Sequence, residues 1–185
     1  MCLIILAHQF RQGQPLVVAA NRDEFFARPT APARFWPDHP SVLAGQDLEL
    51  GGTWLGITRG GRFAAITNCR DPARTLPAPR SRGEITLDFL AGSDSPQAYL
   101  QTVAARADAY AGFNLLVADQ HSLWYFGNQE GATAKAPRAL PPGLYGLSNA
   151  SLDTPWPKVE LGKSRLHELH DRSPDHESLL AVVND

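Results

Sequence analysis

Cys2 and Cys69 are the only thiols in the chain, and no C-x-x-C pair lies among its 185 residues. Such a sequence points neither to a disulfide framework nor to a cysteine-based metal site. Long apolar runs are lacking as well, and the longest fall far below bilayer-spanning length. The first seven residues have neither the basic start nor the length of a secretory signal. Lys and Arg number 17 against 19 Asp and Glu, for a net charge of -2. No basic cluster is suited to tracking a phosphate backbone, so nucleic acid is not an expected partner. With 43% hydrophobic and 19% charged residues, the composition suits one ordinary core. A single domain over 1–185 and a cytoplasmic location are therefore the expectations.

What the sequence does have is concentrated in residues 1–26. Two apolar runs, Cys2 to Ala7 and Leu16 to Ala20, flank a turn near Gly13. Runs of this kind bounded by turn residues read as strands buried on both faces. A hairpin built from them returns to its own beginning, so the polar cluster Asn21-Arg22-Asp23-Glu24 comes back beside Cys2.

That juxtaposition has a specific chemistry. The small side chain of Cys2 favours removal of Met1, which would leave an amine of ordinary pKa roughly 8 next to the thiol. A terminal amine can serve as the base for its own side chain. Asp23 is placed to hold that amine, and Arg22 to favour the thiolate or meet a substrate anion. Asn21 adds an amide. The plainer reading makes Cys2 a small apolar residue opening a core strand.

Met1-Cys2, Ala20-Asn21-Arg22-Asp23-Glu24-Phe25 and Arg28-Pro29 resemble the start of the NRDE family, also called the transport and Golgi organisation protein 2 family. Further matches follow in order: Gly51-Gly52-Thr53-Trp54-Leu55-Gly56, Ala64-Ala65-Ile66-Thr67-Asn68, Gly112-Phe113-Asn114-Leu115, and Tyr145 to Ala150 with Thr154-Pro155-Trp156. The resemblance implies an α+β fold, the four-layer αββα sandwich of N-terminal nucleophile hydrolases with mostly antiparallel sheets. It also implies a link to haem trafficking or to lipid and acyl-CoA metabolism. Relatives continue with a Tyr-Gly-Thr-Arg stretch and further strands, so a C-terminal segment is expected to be lacking here. In choloylglycine-type amidases an Arg precedes the Asn-x-Asp run. Here Ala20 takes that place, and Arg22 lies inside the run.

Along the rest of the chain, residues 27–50 carry Pro29, Pro32, Pro37 and Pro40 with Phe35 and Trp36. They read as a long packed loop, either a binding wall or an aromatic-anchored connection. A second hairpin pairs 53–58 with 62–68 around Arg59-Gly60-Gly61. Asn68 at its end is either a turn former or a donor to a developing oxyanion. Residues 70–83 are Arg-rich, and Arg80 and Arg82 are candidates for an anion-binding rim or simply a solvated loop. Helices are expected over 84–90, from a Ser95-Pro96 start to about Tyr110, over 157–172 and from His176 to Val183. Strands are expected over 113–118 and 123–126, with the exposed turn residue His121 between them, and residues 128–144 read as a loop. Asn149 closes the next strand. There, the resemblance to cysteine amidases implies an oxyanion donor, while local chemistry alone allows a turn or helix cap.

Two function classes result. One is a hydrolase with Cys2 as nucleophile, Asp23 orienting the amine, and Asn149 with Asn68 at the oxyanion, acting on a non-peptide C–N bond. The other is a carrier for an amphipathic ligand, haem or acyl-CoA, held by Phe35, Trp36, Arg80 and Arg82, with Asn21 and Arg22 as further binding candidates for either class. No cofactor is required by the first. Haem is a possible ligand in the second, and no metal site is expected in either.

Overall fold

The structure is a computed structural model that describes residues 2–69, 78–129, 136–169 and 174–184. In chain order its strands are β1 (Leu3–Arg11), β2 (Gln14–Asn21), β3 (Thr30–Phe35), β4 (Val42–Asp47), β5 (Leu55–Thr58) and β6 (Phe63–Asn68). Helices α1 (Arg82–Ala91) and α2 (Pro96–Ala105) follow, then β7 (Phe113–Ala118), β8 (Leu123–Gly127), β9 (Arg138–Leu140) and β10 (Gly143–Leu147). Helices α3 (Pro157–Glu168) and α4 (His176–Val183) complete the described chain. These elements fall into two compact units, Met1–Asp23 with Pro141–Asp185, and Glu24–Leu140.

The first unit is a three-stranded sheet in the order β10-β1-β2. Both neighbours run antiparallel to β1, with Ile4 opposite Ala20 on one side and Leu147 on the other. The apolar run at the start of β1 is buried on both faces, as its lack of alternation predicts. Gly13, at φ +79°, makes the turn into β2. Leu3, Ile5 and Ala7 project on one side and pack with Val159 and Leu166 of α3 and Val182 and Val183 of α4. A Cβ on Gly162 would come within 2.6 Å of Ile5 Cγ1, so the absence of a side chain there lets α3 lie directly on β1.

The second unit is a seven-stranded sheet in the order β3-β4-β5-β6-β7-β8-β9, with every neighbouring pair antiparallel. Helices α1 and α2 connect β6 to β7, and Ile85, Phe89, Leu90, Leu100 and Val103 pack with Leu115, Val117 and Phe126 of the sheet. Ser81 caps α1 by accepting from Gly83 N, and Ser95 caps α2 by accepting from Ala98 N. The backbones of Gly52 and Gly83 touch so closely that a Cβ on Gly52 would lie 2.4 Å from the Gly83 carbonyl carbon.

Three expectations change. Residues 27–50 are not a loop but contain the hairpin β3–β4. Pro32 is accommodated because β3 is an edge strand with a register irregularity between Ala31 and Arg34, while Pro29, Pro37 and Pro40 lie outside the strands. The supposed loop 128–144 likewise contains β9, the opposite edge, and the start of β10. Helix α2 stops at Ala105, and a short 3-10 turn over Ala107–Ala109 replaces its expected last turn before Tyr110. Arg70, Arg74, His170 and Arg172 lie outside the described residues.

Candidate active site

Cys2 immediately precedes β1 and is half-buried. Leu3 pairs with Asn21 on β2 and Ile4 with Leu147 on β10. Carried one or two residues further, this register sets Cys2 between the Arg22 end of β2 and the Ser148-Asn149 end of β10. The central position of β1 thus turns three separate sequence motifs into one cluster.

The main chain of Cys2 is held from two directions. Ser148, only 3% exposed, donates from Oγ to the Cys2 carbonyl at 2.6 Å. Lys158 Nζ, from the first turn of α3, reaches the same oxygen at 3.4 Å. Asn149 Oδ1 also lies 3.4 Å from Ser148 Oγ, but one hydroxyl proton cannot serve both acceptors, and the shorter contact takes it. Asn21 donates from Nδ2 to Val183 O at 3.0 Å, which ties the end of β2 to α4. Its buried Oδ1 has no hydrogen-bond partner. Arg22 is half-buried, Asp23 is exposed, and Asn149 is half-buried.

The connection from β10 to α3 is fixed by Asp153, which sits at a φ of +58°. Its Oδ1 accepts from Gly146 N and from Lys163 Nζ, each at 2.9 Å, while its own N–H donates to Gly146 O at 2.8 Å. A left-handed Asp persists when its surroundings over-determine it, and here three hydrogen bonds do so. Lys158 Nζ lies 5.4 Å from the centre of the Trp156 ring, a cation–π contact that limits where the ammonium can go.

The remaining candidates belong to the second unit. Asn68 is exposed at the end of β6, opposite Phe113. The next residue, Cys69, donates its N–H to Gly112 O at 3.0 Å, and Arg82 Nη1 donates to the same carbonyl at 2.8 Å. Arg82 therefore helps close the end of the β6–β7 pair. Arg80 pairs with Glu84 at 2.5 Å, and Glu84 Oε1 also accepts from the Tyr110 hydroxyl at 2.7 Å. Burial, reinforced by that hydrogen bond, pushes the Tyr110 hydroxyl up to about 12. Trp36 is a core residue: it is 5% exposed, packs in the cluster around α1 and α2, and donates its indole N–H to Ala44 O at 2.9 Å. The exposed aromatic of the pair is Phe35, with the Arg59 guanidinium 3.8 Å from its ring centre.

The sequence expectations assigned no site role to Ser148 or Lys158. Ser148 was visible inside the Leu-Ser-Asn motif. Lys158 carried no local signal, because its place depends on how α3 docks. Among the described residues no group of three or more His, Cys, Asp or Glu side chains gathers as a metal site, and no helix is long and apolar enough to cross a membrane.

The fold, two antiparallel sheets with helices packed on each, is that of N-terminal nucleophile hydrolases. A Caenorhabditis elegans N-acylethanolamine-hydrolyzing acid amidase ortholog matches 100% of this chain and 86% of its own, with a TM-score of 0.69 and 13% identity. At that identity the likeness speaks for the fold alone. The chain belongs to the Transport and Golgi organisation 2 family, which matches residues 1–184. It is 41% identical over 184 residues to the Transport and Golgi organization protein 2 homolog of Bos taurus, covering 93% of this chain and 65% of that protein. The Homo sapiens homolog is 40% identical over 185 residues, covering 94% of this chain and 66% of its own length. The Drosophila melanogaster protein is 30% identical over 177 residues, covering 85% and 59%. The chain thus spans just under two thirds of the length of these mammalian relatives.

Proposed function

We propose that this protein is a cysteine N-terminal nucleophile hydrolase acting on a non-peptide C–N bond. The observation that carries the reading is the convergence of the three strand ends at Cys2, with Asn21, Arg22 and Asp23 on one side and Ser148 and Asn149 on the other. After removal of Met1, the Cys2 amine takes the thiol proton as sulfur bonds to the substrate acyl carbon. Asn149 stabilises the resulting oxyanion. The C–N bond then breaks, and the proton held by the amine goes to the departing nitrogen. Water hydrolyses the thioester and frees the thiol. Asp23 orients the amine, and Arg22 meets an anionic part of the substrate. A cytoplasmic location goes with this reading, and the mechanism needs no cofactor.

The test is a panel of amide and thioester substrates against the protein and its Cys2→Ala variant. Turnover that disappears in Cys2→Ala, while substrate still binds, is the expected result. Equal turnover by both proteins would overturn the assignment.

A second reading is a carrier for haem or an acyl-CoA or lipid, serving haem trafficking or lipid homeostasis. A shallow apolar groove of the first unit, lined by Phe10, Val17, Leu166 and Leu169 with Arg11 among its walls, is a starting point for such a ligand, but it would have to open to enclose one. Trp36, Arg80 and Arg82, the sequence candidates for holding such a ligand, are instead engaged with groups of the second unit. The carrier reading expects saturable binding of haem or an acyl-CoA by titration calorimetry, retained in Cys2→Ala. Absence of saturable binding would end it.

A further inference from the structure

A sheet edge is a row of unpaired N–H and C=O groups that another strand can join, and folded chains usually blunt it. Three of the four edges in the two described sheets are blunted. Edge strand β3 carries Pro32 and a register irregularity between Ala31 and Arg34. Edge strand β9 is only three residues long. On β10, the main-chain N–H and C=O of Gly146 are both taken by Asp153, at 2.9 and 2.8 Å. Strand β2 is different. It has eight residues, with no charged side chain and no proline after Pro15. Its one strand partner is β1, so every second residue turns its N–H and C=O away from the sheet. Among the described residues, no group outside β1 is hydrogen-bonded to the main chain of residues 16–20. Helix α4 packs on a face of the strand through Ala19 and bonds the Asn21 side chain at its end. Leu16, Val17 and Val18 are only half-buried.

We propose that the open edge of β2 is an interface for the β2 of a second copy of this chain, paired antiparallel so that two three-stranded sheets become one. A two-fold axis makes such a contact isologous and closed, so assembly stops at a dimer. With the axis at Val18, Leu16 lies opposite Ala20 of the second copy, and Arg22 opposite Gln14 of the second copy. No like charges meet in that register, and the uncharged residues 14–21 offer a strongly charged partner strand no counter-charge. The same register sets Gly13 of the second copy opposite Asp23. The turn of one copy thus comes beside the candidate nucleophile end of the other. One pair of strands is small beside the roughly 1,200 Å² of a stable interface. The dimer is therefore weak and depends on concentration.

The experiment is sedimentation velocity of the full chain over a range of concentrations, with amide hydrogen exchange read on β2 at the two extremes. The dimer fraction should rise with concentration, and the outward amides of β2 should gain protection with it, a measurement that needs no variant to fold. Val17→Pro and Val18→Pro alter neighbours whose N–H groups point to opposite sides. One of the two deletes an outward N–H, which an edge strand tolerates, and should abolish the dimer while keeping the parent's thermal unfolding temperature. The other deletes a bond to β1 and should lower that temperature. Phe26→Ser removes an aromatic that is 110% exposed in the second unit, and should leave the dimer intact. A chain that stays monomeric at every soluble concentration would overturn the proposal. So would a dimer that survives the stable proline variant, or one that Phe26→Ser disperses, because the contact would then lie elsewhere. If neither proline variant folds, hydrogen exchange decides alone, and β2 amides protected equally at low and high concentration would overturn the interface.

Discussion

Ser148 Oγ donates a 2.6 Å hydrogen bond to the carbonyl oxygen of Cys2, across 146 positions of sequence. The bond is partly buried: Ser148 is 3% exposed, while Cys2 is half-buried. Ser148→Ala removes the shorter of the two hydrogen bonds described for this carbonyl, the other being the Lys158 contact. The expected cost is about 1–2 kcal/mol of stability, read as a lower midpoint of urea unfolding. An unchanged midpoint would mean that water replaces the hydroxyl without loss and that Ser148 does not anchor Cys2.

The nucleophile reading also depends on a covalent event. Intact mass of the purified protein should show loss of Met1, and a limiting electrophile near neutral pH should label Cys2 ahead of Cys69. Cys69 sits at the end of the β6–β7 pair, in the second unit, with its backbone N–H bonded to Gly112 O. Met1 retained in the mature protein would remove the amine that the mechanism uses as its base.

Trp36 separates a core role from a ligand-binding one. Its indole is 5% exposed and bonded to Ala44 O. Trp36→Ala should therefore cost roughly 3–5 kcal/mol and lower the thermal unfolding temperature of the protein. A variant of unchanged stability with weakened ligand affinity would return Trp36 to the binding wall expected from its Pro-rich context.

That contrast shows what the sequence could carry. The pairing of Leu3 with Asn21 was legible, because two unbroken apolar runs around Gly13 allow only one compact hairpin. So were β6, β7 and β8, which are buried along most of their length, and the Ser95-Pro96 start of α2. Strands β3 and β9 were not legible. Each is a sheet edge paired on one side only, and β3 is largely exposed, so neither shows the apolar alternation or run that reveals a strand. The motifs singled out Asn21, Arg22 and Asn149, which the strand register gathers at the start of β1, whereas Lys158 looked like one polar residue among several on an amphipathic helix. Its nearness to Cys2 follows from the contact of Gly162 with Ile5, which no local pattern encodes.

His8 supplies a pH dependence that can be signed. It lies on β1 opposite Leu16, is 5% exposed, and its Nδ1 has no partner. Burial holds its pKa below the ordinary 6.5, against a smaller upward pull from the nearby Pro15 backbone. The folded state therefore binds a proton less readily than the unfolded chain. Above pH about 6.5 both states carry a neutral imidazole, and His8 leaves stability independent of pH. As the pH falls below that value, the unfolded chain is protonated first, and stability is lost until the pH passes the lower folded-state pKa. Urea unfolding of the parent between pH 7.5 and 5 should show this decline, and His8→Phe should flatten the part of it due to His8. If the two proteins lose stability with equal slope over that range, the imidazole is not held neutral by burial, and the decline belongs to other groups.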